Sequence, residues 1–499
     1  MVTLFFTSIV SLLSVKMLGL MIIGVVVGLV FGAIPGLTST MAVAMILPVT
    51  FTMDSVTGMT FLMALYVGGI SGGLISAILL KIPGTPSSIA TCFDGHPMTA
   101  KGLAGKALAI GIFASMVGGI IGNIILVFLS PPLAKLALTF GPFEYFSIGI
   151  FSLTIIASLA SGSFSKGIIA GLMGVFFSTF GMAPVDGVSR FDFGIYDMRN
   201  GFALLPVLLG VFAVTDILKE LAKAHNKENA EKTAQDLGGY SLGLSFFKEM
   251  ARQPMNFIRS SLIGTFIGIL PGIGGSTASI LSYSEARRAS KHPEKFGTGI
   301  SDGIIASEAS NNAMVGGALV TLVTMGIPGD STTAILLGGM MIHGLQPGPL
   351  LMQTNPEVVY GIFAALFIAN ILFFVIEYSG IKLFIKVLDI PRHFLYPVIF
   401  VMCMVGSYAN NNMMFDIYTM ILFGVIGYLL DGRGYSMACF VIGFILGPMI
   451  EVNLRRALMV SHGSFVPFVT RPISLIFLIV AALSLILTLK KEFKKPIAK

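Results

Sequence analysis

Long apolar runs alternate with short polar gaps along most of the chain, over approximately 4–34, 40–51, 59–80, 107–129, 143–161, 167–183 and 202–218, and again over 260–283, 303–326, 333–352, 358–380, 394–412, 416–430, 436–450 and 473–489. A helix needs roughly 20 apolar residues to cross the hydrocarbon core. The pattern therefore predicts an all-α polytopic membrane protein with about 10–12 transmembrane or re-entrant helical segments. Between the two series lies a long polar stretch, Lys219 to Arg259, with charges of both signs. It reads as a cytoplasmic linker (219–259) joining a first membrane repeat (1–218) to a second (260–489), with 490–499 as a basic cytoplasmic tail. Met1 to Val10 has no basic leader and no evident cleavage site, so it is expected to begin a retained helix.

Pro-Gly pairs interrupt the apolar pattern at Pro35-Gly36, Pro83-Gly84, Pro271-Gly272 and Pro328-Gly329. Proline removes a backbone donor and glycine relaxes the chain, so each pair predicts a break that frees amides and carbonyls. In lipid such groups persist only where protein covers them or where they line a cavity. Hydroxyl residues follow every break: Thr38, Ser39 and Thr40; Thr85, Ser87 and Ser88; Ser276 and Thr277; Ser331, Thr332 and Thr333. A half-helix starting at such a point directs free amides and a positive dipole end inward, which favours a carboxylate. These hydroxyls are the candidate substrate-binding residues. Freed carbonyls together with Asn311, Asn312 and Asp330 are the candidate seat of a coupling cation, sodium or proton.

The breaks recur in order, Pro35 to Pro271 after 236 residues and Pro83 to Pro328 after 245. Flanking charge differs between matching segments. The run holding Pro271 is bounded by Arg252 and Arg259 on one side and by Arg287, Arg288, Lys291 and Lys295 on the other, whereas the run after Pro35 meets Asp54 and no basic residue until Lys81. Lys101 and Lys106 follow Pro83, but no lysine or arginine stands between Lys295 and Lys382 around Pro328. Opposite bias on matching segments is what two inverted repeats with broken helices or hairpins would leave.

Composition narrows the function. Only 11% of residues are charged, and the net charge of +7 gathers at the ends of apolar runs, which excludes a nucleic-acid surface. Cys92, Cys403 and Cys439 have no disulfide or metal-ligand spacing, and no catalytic motif is present, so neither an enzyme nor a cofactor other than the coupling ion is expected. Among isolated ionisable residues, Asp94 reads as a turn cap or a coupling group, Glu308 as equally structural or functional, and His96 and His343 as structural. Glu377, Asp416 and Glu451 are expected to pair with bases such as Arg455 and Arg456.

At these motifs the sequence resembles the large membrane subunit of the tripartite tricarboxylate transporter family. The matching segments are Gly28 to Thr40, Ile78 to Gly105 with Asp94-Gly95-His96-Pro97, Glu308 to Gly317, and Gly326 to Pro349, with Leu446-Gly447-Pro448, Glu451 and Arg471-Pro472 beyond. The family pattern leads one to expect a small or hydroxyl residue after the second Ile-Pro-Gly, where this chain has Asp330. The resemblance implies a permease of the bacterial inner membrane importing a carboxylate on an ion gradient, with a small membrane subunit and an extracytoplasmic solute-binding protein as partners. An anion channel or a stand-alone ion-coupled carrier is the competing class.

Overall fold

The computed structural model of the chain describes residues 2–159, 163–223, 242–388 and 392–494. They are overwhelmingly helical, the one strand pair among them being Gly181–Met182 against Ser189–Arg190. Six helices are long and apolar enough to cross a membrane, from Val15–Ala33 to Met437–Val460, and shorter apolar helices such as Ser39–Thr52 and Ser331–Ile342 complete the set. Large apolar side chains that water would disfavour, including Phe128, Phe266 and Leu262, stand exposed, as a lipid-facing surface requires. Part of the expected linker, 224–241, and the tail 495–499 lie outside the described residues; within the remainder of 219–259, Leu244–Met250 is helical and the next long helix already begins at Pro254.

Two compact units result. The first comprises Met1–Ala134, Lys219–Ile269 and Ile273–Gly406, the second Lys135–Leu218, Leu270–Gly272 and Ser407–Lys499, so each draws on both sequence halves.

In the first unit the principal helices are α1 (Val15–Ala33), α2 (Ser39–Ile46), α3 (Ser55–Leu80), α4 (Thr91–Ala100), α5 (Ala104–Ala137, its last turns extending past the unit), α6 (Pro254–Ile269), α7 (Gly274–Ala289), α8 (Ser301–Met325), α9 (Ser331–Ile342) and α10 (Pro356–Ser379). The caps explain the boundaries. The Asp54 carboxylate accepts from the Thr57 amide at 3.0 Å to start α3, and α8 stops at Gly326, whose φ of 72° only glycine adopts without strain. Lys81 ends α3 at φ 58°, a non-glycine residue in the same left-handed conformation.

α1 and α3 cross backbone to backbone. A Cβ added to Gly28 would lie 2.3 Å from the Leu65 carbonyl oxygen, and one on Gly32 would lie 2.3 Å from that of Gly69. α6 and α8 cross alike: a Cβ on Gly264 would be 2.1 Å from Ser310 O, and on Gly268 2.3 Å from Met314 O. Shifting the numbers by 236 in the first helix and by 245 in the second converts one set of contacts into the other. The spacing of the prolines thus extends to atomic packing.

The second unit holds Pro142–Leu159, Phe164–Ser178, Met414–Asp431 and Met437–Val460, with a π-helical turn at Leu209–Val214. Here Glu451 meets both Arg190 at 2.8 Å and Arg455 at 2.9 Å, the pairing the sequence suggests. Asp416 departs from that expectation, because its carboxylate accepts from the side chains of Asn411 at 2.9 Å and Asn410 at 3.4 Å. Glu377, in the first unit, departs likewise: it accepts from Ser71 at 2.7 Å, on a helix, Ser55–Leu80, that carries no lysine or arginine.

Candidate functional site

The hydroxyls that follow all four breaks lie in the first unit, while the Pro271-Gly272 pair itself belongs to the second; three breaks are followed by half-helices, α2 after Pro35-Gly36, α7 after Pro271-Gly272 and α9 after Pro328-Gly329. After Pro83-Gly84 the chain forms a 3-10 turn, Pro86–Ser88, before α4. The prolines therefore sit in interrupted helices, as the sequence requires.

The breaks also converge. The hydroxyl oxygen of Thr332 lies 2.9 Å from that of Thr40 and 3.3 Å from that of Ser39, joining the first break to the fourth. A Cβ on Gly275 would lie 2.7 Å from the Cβ of Ser87, which joins the third to the second. Ser39 and Gly275 differ by 236 and Ser87 and Thr332 by 245, so this is one contact made twice.

Other hydroxyls close their own turns. Thr38 caps α2 by accepting from the Met41 amide at 3.1 Å. Ser88 donates to the Thr85 carbonyl at 2.9 Å, and the Thr85 and Ser87 hydroxyls lie 2.9 Å apart. Thr333 belongs to the cap of α9, where its amide donates to Asp330 Oδ1 at 2.8 Å and the Asp330 amide donates to Thr333 Oγ1 at 2.9 Å. Ser276, Thr277 and Ser331 are half-buried, and their side chains make no hydrogen bond to the described residues.

Asp330 stands at the position equivalent to Thr85, 245 residues on, and both residues form capping boxes. Its second oxygen accepts from the hydroxyl of Tyr66 at 2.8 Å, a partner that sequence reasoning missed. The repeat was a usable signal, because Tyr66 plus 245 is Asn311. Asn311 lies beside the breaks, its Oδ1 2.8 Å from where a Gly275 Cβ would be, and neither of its amide atoms has a hydrogen-bond partner among the described residues. Asn312 is separated from it: its Nδ2 donates to the Glu308 carbonyl at 3.1 Å on another face of α8.

Asp94 is fully buried, and its Oδ1 accepts from the amides of Gly297 at 2.9 Å, Gly299 at 2.7 Å and Ile300 at 3.0 Å while Oδ2 accepts from Tyr283 at 2.8 Å. It caps a turn, though not its own. Glu308 accepts from Thr91 and, at 2.9 Å, from Ser115. Among the described residues no lysine or arginine is buried. His343 Nε2 lies 3.2 Å from the Thr50 hydroxyl.

Fold and site define an all-α polytopic membrane protein of broken-helix build. The chain belongs to the tripartite tricarboxylate transporter TctA family, whose model matches residues 18–442. It is 36% identical over 467 residues to an uncharacterized 52.8 kDa protein in the TAR-I ttuC' 3' region of Agrobacterium vitis, covering 94% of this chain and 92% of the relative. It is also 38% identical over 211 residues to an uncharacterized protein in the TAR-II ttuC' 3' region of the same organism, covering 42% of this chain and 87% of that relative. No solved structure matches the chain. It is thus a membrane component of a transporter.

Proposed function

We propose that the chain is the permease subunit of a binding-protein-dependent secondary transporter that imports a di- or tricarboxylate on a sodium or proton gradient and leaves it chemically unchanged. The observation that carries this reading is the meeting of half-helix starts through Thr332, Thr40 and Ser39. Amides at the start of α2, α7 and α9 present partial positive charge where a carboxylate would be desolvated. The charge bias of the flanks supports repeats of opposite orientation in the bilayer, the arrangement that serves alternating access. In this reading the partners are a small membrane subunit and a soluble extracytoplasmic solute-binding protein, and the membrane is the bacterial inner membrane.

The experiment is uptake of radiolabelled citrate, succinate or tartrate into vesicles that hold this chain and the small subunit. Accumulation requiring both the binding protein and an imposed cation gradient is expected. Gradient-independent equilibration without the binding protein would establish a channel instead. Within the site, Ser331→Ala with Thr332→Ala is expected to lower uptake roughly tenfold, the worth of one or two hydrogen bonds to a charged ligand, at an unchanged yield of folded protein. Unchanged uptake would move the site elsewhere.

A further inference from the structure

Away from the breaks, α3, α5, α8 and α10 enclose a cavity of about 10 Å³, the space of one water or one small ion, lined by Val67, Gly119, Asn123, Asn312, Gly316 and Asn370 among others. Three buried carboxamides from three helices share it. Each is pinned by its nitrogen: Asn123 Nδ2 donates to Phe363 O at 2.9 Å, Asn312 Nδ2 to Glu308 O at 3.1 Å and Asn370 Nδ2 to Leu366 O at 2.8 Å. Those bonds fix which amide atom is oxygen. All three Oδ1 atoms are buried without a partner among the described residues. Gly119 makes room, since a Cβ there would lie 1.8 Å from Asn370 Oδ1.

Buried acceptors are rarely left unmatched, and three in one cavity demand an occupant. A water has two protons to give and would leave the third oxygen unmet, whereas a cation satisfies all three at once. The ligands are neutral, and among the described residues no cluster of acidic, histidine or cysteine side chains suits a metal, which points to a monovalent ion rather than a divalent one. Two acidic side chains stand along the same helices, Glu308 one turn from Asn312 and Glu377 two turns from Asn370, both buried.

We propose that Asn123, Asn312 and Asn370 form a binding site for one dehydrated, sodium-sized monovalent cation, distinct from the cluster of breaks. Only its purpose, coupling, rests on the carrier reading; the binding does not. The test is thermal unfolding of the purified full chain in detergent, titrated with sodium chloride against choline chloride at constant ionic strength. Sodium is expected to raise the melting temperature by roughly 2 °C or more and choline not at all. Asn370→Leu, and Gly119→Ala, which keeps every amide but displaces one oxygen, are expected to raise the half-saturating sodium concentration about tenfold or more. Asn453→Leu, which removes an amide bonded to Met449 O at 2.7 Å in the second unit, leaves the titration unchanged. If Asn370→Leu does not fold, Asn123→Ser, with a shorter reach, reads the same shift. A wild-type protein indifferent to sodium, holding a water only, overturns the site, as does a full response in Asn370→Leu and Gly119→Ala. Gradient-driven uptake would still stand in either case, and absent uptake would leave the titration to be read alone.

Discussion

Asp330 shows how a single residue takes its meaning from its surroundings. Alone, a carboxylate beside an anion site is a repulsive element, and its local sequence leaves capping, cation binding and protonation all open. Thr333 and Tyr66 supply what the sequence omits: donors to both oxygens, so that the carboxyl group is fully hydrogen-bonded at the start of α9. Because Thr85 does the same work 245 residues earlier, Asp330→Thr is expected to keep the fold, with a cost of about 1 kcal/mol or less in thermal unfolding, and to keep uptake. Loss of uptake in a well-folded Asp330→Thr protein would assign the carboxylate to the coupling cycle. The breaks themselves were legible because proline, glycine and hydroxyls write them locally. Their partners were not, since nothing near Thr332 names Thr40, 292 residues away.

Among the elements, the difference between the two repeat offsets is informative. The second half has a longer connection between its broken helix and the next long helix, running from Ser290 to Ile300 between α7 and α8. Asp94 holds that connection through Gly297, Gly299 and Ile300. Its counterpart by repeat number is Gly339, which has no side chain to hold a loop and where an added Cβ would meet the side chains of Leu47 and Leu62. Asp94 thus serves a loop the first half lacks, which no reading of its own turn would reveal. Asp94→Ala leaves three amides and the Tyr283 hydroxyl without their acceptor, and is expected to cost about 1–3 kcal/mol or more, measured as a fall in melting temperature. Tyr283→Phe removes one bond and should cost less. A small effect of Asp94→Ala would mean that water replaces the carboxylate. The crossings carry their own test: a methyl on Gly84 would lie 2.2 Å from Gly32 O, and one on Gly329 2.4 Å from Gly268 O. Gly84→Ala and Gly329→Ala are each expected to destabilise by about 1–3 kcal/mol, whereas Gly344→Ala, with nothing within 4 Å, meets only the strain of its positive φ.

For the whole molecule, the apolar pattern established an all-α polytopic membrane protein, but the compact units are not the sequence halves. Hydropathy reports which segments prefer lipid, and it carries no information about which helix neighbours which. The first unit joins Met1–Ala134 to Lys219–Ile269 and Ile273–Gly406, with α1 to α5 and α6 to α10 in one body. A protease site inserted within 224–241 and cut after purification is therefore expected to leave both fragments eluting together on size exclusion in mild detergent. Separation of the fragments would show that the shared core is too weak to hold without the covalent link.

Gly28 and Gly32, like Gly264 and Gly268, meet an opposing carbonyl where other helices would interpose side chains. Glycine surrenders no rotamers on docking, and close backbone approach supplies the van der Waals attraction that lipid does not replace. The two joints can therefore form late, between helices already inserted, with orientation as the main entropy lost. Refolding from a helical, detergent-denatured state should recover them without rearranging any side chain at the seam.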